Sequence, residues 1–498
     1  VRRDPNDDNL AIITDDFARW PATRTAFVFL VLSLVGGAAA AFYAWHDLTL
    51  SHYDARAHLV VARRITDSLT PGWEQIGAVW LPLPHLLNAG PVALDWNYHT
   101  GASAVLLSVT ALALGLTLAA RHLYERTGSA ASAVAVAALV LLNPNVLYLQ
   151  STPMTEPMLF GLSLAAVVAV DRWIRAPSTT RRRAAGLSLA ALVLTRYEGW
   201  CIAAALGALI VAACRRQPWR AIRVLVYPAA AVAAFLLLSW GSTGRWFVTS
   251  GFFVPDNPAR HRPGAVIVSI VGSVAELGGG TLLGAAFAGI VALAWSARRR
   301  LVEGAPLALL AAGALPALAF YQGHPHRIRY MVPLVVAAGV LAAFAVGRVP
   351  RRVRGLAAAA LVAAVLIERP PLDPAAPMLL EAQWETPYRV ARDEVAHELR
   401  ARHDGRMILA SMGSLGHFMQ ESSRHGFALD DFLHEGNGGL WTAALEAPGR
   451  HVGWILIEER AEGGDQLAAR ARADGRFLDG FARVTESGGL ALYRRIPD

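Results

Sequence analysis

Asp54, in the segment Ser51-His52-Tyr53-Asp54-Ala55-Arg56-Ala57-His58, puts a carboxylate just past the first long apolar run of the chain. A carboxylate at the mouth of a membrane helix is suited to take a proton from a hydroxyl attacking a lipid-borne substrate. Tyr53, Arg56 and His58 add polar function at the same depth. Asp is also a preferred helix cap, and capping alone would account for a lone acid here. Further ionisable groups keep it company. Glu156 opens a later apolar run in Thr152-Pro153-Met154-Thr155-Glu156-Pro157, where its plainest role is a first-turn acid matched to the helix dipole. Arg196 and Glu198 interrupt another run in Thr195-Arg196-Tyr197-Glu198-Gly199. Ionisable groups at that depth are costly unless they pair or face a water-filled cavity. Gly323-His324-Pro325-His326-Arg327-Ile328-Arg329-Tyr330 concentrates cations before a further run. It reads as a solvated loop or as an anion site, since guanidinium groups bind phosphate bidentately and keep their charge when partly desolvated. His324 and His326 also suggest a metal site, on weak spacing. Asp256, Arg260, His261 and Arg262 would extend the same polar surface.

The elements that must hold these groups are membrane helices. Of the 498 residues, 54% are hydrophobic and only 17% charged. Residues 25–45, 101–120, 129–149 and 332–346 carry almost no charge, as bilayer-spanning helices of about 20 residues require. The net charge of +8 does not point to nucleic acid, because the basic residues, all arginine, sit in short clusters between apolar runs. Cys201 and Cys214 lie in apolar sequence and cannot build a disulfide framework. The opening stretch is acidic (Asp4, Asp7, Asp8, Asp15, Asp16), unlike the basic start of a cleaved signal peptide, so residues 25–45 read as an uncleaved first span.

Arginine sets the topology. Clusters at 121–127, 171–183, 215–223, 296–300 and 348–354 are assigned to the cytoplasm, which turns 46–99, 143–156, 241–264 and 321–329 outward. Residues 184–213 are Arg-rich on both flanks and must cross an even number of times, with the break at 195–199 and each arm only about 15 residues long. The expectation is a polytopic α-helical protein of about eleven spans, with residues 1–24 cytoplasmic and a catalytic membrane domain over 25–368. In the first outer loop, Ala57, Val61, Ile65 and Leu69 share a helical face, predicting a helix that lies in the interface. Residues 79–94, apolar but carrying Pro82, Pro84 and Pro91, predict a second. After Glu368-Arg369-Pro370-Pro371 the pattern becomes that of a small outward α/β domain over 369–498. It has helices at 388–403 and 466–473, strands at 406–411 and 452–458, and a closing hairpin around Ser487-Gly488-Gly489.

An outward cavity with carboxylates, an arginine cluster and amphipathic walls fits transfer of a group from a lipid-linked phosphate. Arginines would stabilise the leaving phosphate, and a carboxylate would take the acceptor's proton in a single inverting displacement. At this point the chain resembles the GT-C superfamily of glycosyltransferases, being similar to the family-39-like enzymes related to protein O-mannosyltransferases and the aminoarabinose transferase. Four segments carry the resemblance: Tyr53-Asp54-Ala55, Met154-Thr155-Glu156-Pro157, Leu194-Thr195-Arg196-Tyr197-Glu198-Gly199 and Arg327-Ile328-Arg329-Tyr330-Met331-Val332-Pro333. The third resembles the family's Thr-Arg-Pro-Glu-Gly with Tyr for Pro, and the fourth its Arg-Tyr-x-x-Pro. The tail over 408–431, with a small-residue turn at 412–416, is similar to the outer domains of such enzymes.

The resemblance implies that Asp54 is the catalytic base and that Arg327 and Arg329, with Tyr330 and Arg56, meet the phosphate of a polyprenyl-phosphate-linked sugar. Tyr53, His58, Glu156, Arg196, Glu198, His324 and His326 remain further active-site candidates. It also implies a bacterial inner-membrane enzyme of the cell envelope, with the acceptor open between protein, lipid and glycan. Many relatives carry paired acids where this chain has Asp54-Ala55, so a divalent cation would have to recruit Glu156 or a histidine. Two other classes fit the composition: a flippase for lipid-linked saccharides, and a non-catalytic scaffold. A transporter generally keeps its ionisable groups near the midplane and often shows repeat symmetry, neither of which is visible here.

Overall fold

The computed structural model describes residues 20–77, 79–246, 257–461 and 464–497. Asp256 and the acidic opening stretch lie outside them. Among the described residues, seven helices are long and apolar enough to cross a membrane: Ala22–Trp45, Ala102–Thr127, Glu156–Arg175, Pro218–Thr243, Gly280–Arg299, Leu301–Gln322 and Ile328–Arg348. Their roles in the bundle differ. Ala22–Trp45 keeps Phe27, Leu30 and Leu34 exposed on its outer face, whereas Val332–Arg348 is buried along almost its whole length. Helices Ala102–Thr127 and Glu156–Arg175 meet so closely that a Cβ on Gly115 would lie 2.5 Å from the Cα of Gly161.

Several expected spans take another form. Residues 129–149 are not one helix but two, Ala130–Leu141 and Pro144–Gln150, bent by 70°. The Asn143 side chain accepts from the N–H groups of Asn145 and Val146, and Pro144 offers no N–H to continue the first helix, so the chain restarts there. The apolar stretch after 263 breaks at Gly279 (φ +84°) into Pro263–Gly278 and Gly280–Arg299. Glu368 and Arg369, expected only to mark a boundary, fasten that break. The Glu368 carboxylate accepts from Gly280 and Thr281 N–H at 2.6 and 3.0 Å, while Arg369 Nε donates to the Glu276 carbonyl at 2.8 Å. An acid thus meets one helix's N-terminus and a cation the other's C-terminus, as the helix dipoles favour. The short pair around 195–199 is present as Thr179–Val193 and Tyr197–Ala213, of 15 and 17 residues. Against the eleven expected spans, the number by length and composition among the described residues is seven, or eight with the bent pair; Thr179–Val193, Tyr197–Ala213, Pro263–Gly278 and Arg354–Glu368 are shorter helices of 15–17 residues.

The first loop is shorter in helix than its periodicity predicts. A helix runs over Tyr53–Arg63 and stops, leaving Ile65 and Leu69 beyond it. It does not cross the bundle, yet every residue from Ala55 to Ala62 is buried, because the tail helix Met412–Ser422 lies on it. The second expected helix over 79–94 is broken into a helix at Leu83–Ala89 and a single 3-10 turn at Pro91–Ala93, consistent with its prolines.

The tail holds a five-stranded sheet in the order β2-β1-β3-β5-β4, with β1 Ile408–Ala410, β2 Phe432–Leu433, β3 Trp454–Glu458, β4 Phe481–Ser487 and β5 Leu490–Arg495. β1 pairs in parallel with β2 and β3, and β5 antiparallel with β3 and β4. The closing hairpin turns on Gly488 and Gly489, both at positive φ, the conformation a two-residue turn of this hand needs. The expected small-residue turn at 412–416 is instead the first turn of helix Met412–Ser422. Its free N–H groups are met by Glu435, which accepts from the Ser411 hydroxyl and from Met412 N–H at 2.7 Å. The acid is supplied in space from far along the chain, so the sequence around 412 gives no sign of it.

Candidate active site

Helix Tyr53–Arg63 starts with His52, whose Nδ1 accepts the Asp54 N–H at 3.1 Å. His52 therefore does the capping, and the Asp54 carboxylate is left for another partner. That partner is Arg329: Nη2 lies 2.5 Å from Asp54 Oδ2. Arg329 stands on the turn Ile328–Met331 that feeds the buried helix Val332–Arg348, so its position is fixed by the centre of the bundle. A second carboxylate, Glu381 on the short helix Pro377–Ala382, approaches Arg329 Nε at 4.0 Å and His52 Nε2 at 3.7 Å. It also accepts the Ile328 N–H at 3.1 Å. His52 Nε2 lies 3.1 Å from Arg329 Nη1. Buried Arg329 Nε and Glu381 Oε1 make no hydrogen bond of good geometry.

Burial alone would raise the Asp54 carboxyl. Arg329, with smaller help from His52 and His58, outweighs burial and holds it at about 2. Glu381 is likewise lowered against its burial, by His52, Arg329 and Arg327. Tyr53, buried beside Asp54, is raised. Tyr53 and Tyr330 both present their rings to the Arg329 guanidinium, at 5.9 and 5.3 Å. Arg327 lies over the Trp384 ring at 5.1 Å and acts electrostatically on both Tyr53 and Glu381.

A second cluster forms around Arg196. Its guanidinium meets Glu156 at 3.1 Å, Glu198 at 2.9 Å and the Thr155 hydroxyl at 3.0 Å. The pairing that burial demands of the 195–199 segment is thus met twice, within the segment by Glu198 and between helices by Glu156. The cluster is a neighbour of the first, since Glu156 acts on Arg329 and Arg196 on His58.

Other expected residues stand elsewhere. Arg56 does not join the arginine cluster: it donates to the Leu50 carbonyl at 2.6 Å and pairs with Glu421 at 2.8 Å, tying the first loop to the tail. His58 is buried against His85, with 3.0 Å between ring nitrogens, and against Trp80. Burial, and then His85, keep it well below the usual histidine range, so it is neutral. His326 Nε2 meets the Ser273 hydroxyl at 2.8 Å, and the His324 ring lies near Tyr330. His261 stacks edge-on with Tyr321. Among the described residues, no group of three or more His, Cys, Asp or Glu side chains is arranged to hold a metal ion. Glu156, the acid a metal would have had to recruit, is engaged with Arg196.

Sequence reasoning missed Glu381 and His52 as members of the cluster. Glu381 had one weak signal, an acid inside the apolar segment Ala376-Pro377-Met378-Leu379-Leu380-Glu381-Ala382. His52 had none beyond standing two residues before Asp54.

The fold is a helical membrane bundle with a non-crossing first-loop helix and a small tail sheet. Solved structures share it: ArnT from Cupriavidus metallidurans bound to undecaprenyl phosphate, and the same ArnT in the apo state. Each matches with a TM-score of 0.56 at 15% sequence identity, over 95% of this chain and 98% of that one. The likeness is one of fold. No family model and no curated protein sequence matches the chain.

Proposed function

We propose that this protein is an inverting glycosyltransferase that moves a sugar from a polyprenyl-phosphate donor to an acceptor hydroxyl, at the outer face of a bacterial inner membrane. The observation that carries the reading is the Asp54–Arg329 pair, a proton acceptor and a phosphate-binding cation face to face at 2.5 Å. The fold shared with ArnT, whose solved structure holds undecaprenyl phosphate, supports the class of donor.

In the displacement, a lone pair of the acceptor oxygen forms the bond to the anomeric carbon as the bond from that carbon to the phosphate oxygen breaks. The acceptor's proton goes to Asp54. The bonding pair leaves with the phosphate, whose growing charge is met by Arg329 and Arg327. Tyr330, Tyr53 and Glu381 hold Arg329 in line, and the Trp384 ring lies against Arg327.

A carboxyl held at about 2 is a weak base, and this gives the resting pair a role. Donor phosphate competes with Asp54 for Arg329. Once the guanidinium turns to phosphate, the main force depressing Asp54 is lost and its proton affinity rises toward the ordinary carboxylate range. Donor binding and base activation are then one event. The test is Asp54→Asn in the full chain, with transfer from a polyprenyl-phosphate sugar and binding of polyprenyl phosphate both measured. Transfer should vanish while binding persists or tightens, since the lipid no longer displaces an ion pair. Normal transfer by the variant would remove Asp54 as the base.

A further inference from the structure

Away from Asp54, a cavity of about 550 Å³ opens between helices Ala102–Thr127, Glu156–Arg175 and Thr179–Val193. Glu156 and Arg172 stand near opposite ends of the same helix, so at ~1.5 Å per residue the arginine rim of this cavity lies more than ~20 Å from Glu156 in the Arg196 cluster. The three helices line it in the same order. Their inner turns supply Leu118, Val168 and Ala184, and their ends supply arginines 121, 126, 172, 175 and 181.

These arginines exceed the acids available to them. Glu125 accepts from Arg121 at 2.6 Å and Arg172 at 2.7 Å. Arg175 pairs with Asp171 at 2.9 Å and approaches Glu303 at 3.2 Å, while Arg126 pairs with Glu303. Arg181 donates to the Ala176 carbonyl at 2.8 Å. Glu125, Asp171 and Glu303 therefore leave the group with excess positive charge, and buried Arg175 Nη2 makes no hydrogen bond of good geometry.

We infer that the cavity seats one anionic phospholipid, its phosphate against Arg121 and Arg172 and an acyl chain along Leu118, Val168 and Ala184. Guanidinium groups at the rim suit a phosphodiester. The apolar depth on all three helices favours a lipid over a free anion, which would leave that surface without a partner. The site is separate from the proposed transfer centre and does not depend on that function.

Native mass spectrometry of the full chain in detergent, with phosphatidylglycerol or phosphatidylcholine added, tests this. The wild type should retain one phosphatidylglycerol and discriminate against phosphatidylcholine by at least about tenfold. Ala184→Trp, which fills the depth, and the double variant R121Q/R172Q should each lose that retention about tenfold. Glu125→Gln, which frees the same two arginines, should keep or tighten it, and so separates loss of the site from misfolding. Equal retention of phosphatidylcholine, or wild-type retention by both the filled and the double variant, overturns the inference. So does stoichiometric replacement of phosphatidylglycerol by undecaprenyl phosphate, or thermal protection by inorganic phosphate equal to that by the lipid.

Discussion

The clusters around Arg329 and Arg196 are built from the same parts, one arginine between two carboxylates, yet they differ in access. The acids Glu156 and Glu198 are 1% and 5% exposed, against 15% and 13% for Asp54 and Glu381, while the arginines run the other way, Arg196 at 16% and Arg329 at 7%. They differ also in origin. Arg196 and Glu198 are two residues apart, and Glu156 opens the helix packed beside theirs. Asp54, Arg329 and Glu381 come from the first loop, the entrance of the central helix and the start of the tail. A partly local cluster whose acids are sealed fixes a backbone. A cluster whose acids are reachable and whose members come from distant segments can exchange partners, which the proposed transfer site requires.

The sharpest break in this comparison comes from the acids. Asp54→Asn should lower transfer per folded molecule by about 10²–10⁴-fold, the range attributable to general-base catalysis, and should also lower the unfolding midpoint, because Arg329 loses its paired carboxylate. Glu156→Gln should instead lower folding yield and midpoint, with activity per folded molecule within a few fold. A comparable loss of turnover in both, measured on folded protein, would erase the distinction between the clusters.

The arginines come next. Arg196→Gln leaves two buried carboxylates without their cation, a change worth about 3–5 kcal/mol of stability in comparable buried pairs. Arg329→Lys keeps the charge but loses the planar fork, so it should weaken lipid-phosphate binding by about tenfold or more while the protein still folds. Thermal unfolding and lipid binding, measured on both variants, separate these outcomes. Glu381→Gln should have a smaller effect, a few fold on transfer, because Glu381 reaches Arg329 only at 4.0 Å.

How much of this was legible differs with the range of the signal. The apolar runs, the short pair at 195–199, and most of the tail's strands and helices follow from periodicity and charge, which are local. Asp54 and Arg329 were both singled out, because ionisable groups at span ends are conspicuous against apolar sequence. Their pairing was not legible, being a contact across 275 residues. The pairing of Arg56 was hidden for the same reason: its partner Glu421 lies in the tail and gives no local sign. The 412–416 segment reads as a turn because its helix N-terminus is satisfied by Glu435 rather than by a neighbouring cap. Breaks at Asn143-Pro144 and Gly279 were written in residues known to interrupt helices, but an apolar stretch long enough to span masks them.

The smallest expected effect is also the one that tests partner exchange directly. The Asp54 carboxyl is held near 2 in the resting protein, below the unfolded value of about 3.9. A group depressed on folding contributes stability that is present above the unfolded value and is lost as pH falls through the folded one. The resting protein should therefore lose the Asp54 contribution between about pH 4 and pH 2. In the proposed mechanism bound polyprenyl phosphate takes Arg329 and relaxes Asp54 upward, so that contribution should shrink and the slope of stability with pH in this window should become shallower. Unfolding midpoints of the full chain, measured across this window with and without undecaprenyl phosphate, read the difference. Arg329→Gln should show the shallower slope without lipid and be indifferent to its addition. If lipid leaves the wild-type slope unchanged, Asp54 keeps its arginine with donor present, and the open cluster is as fixed as the sealed one.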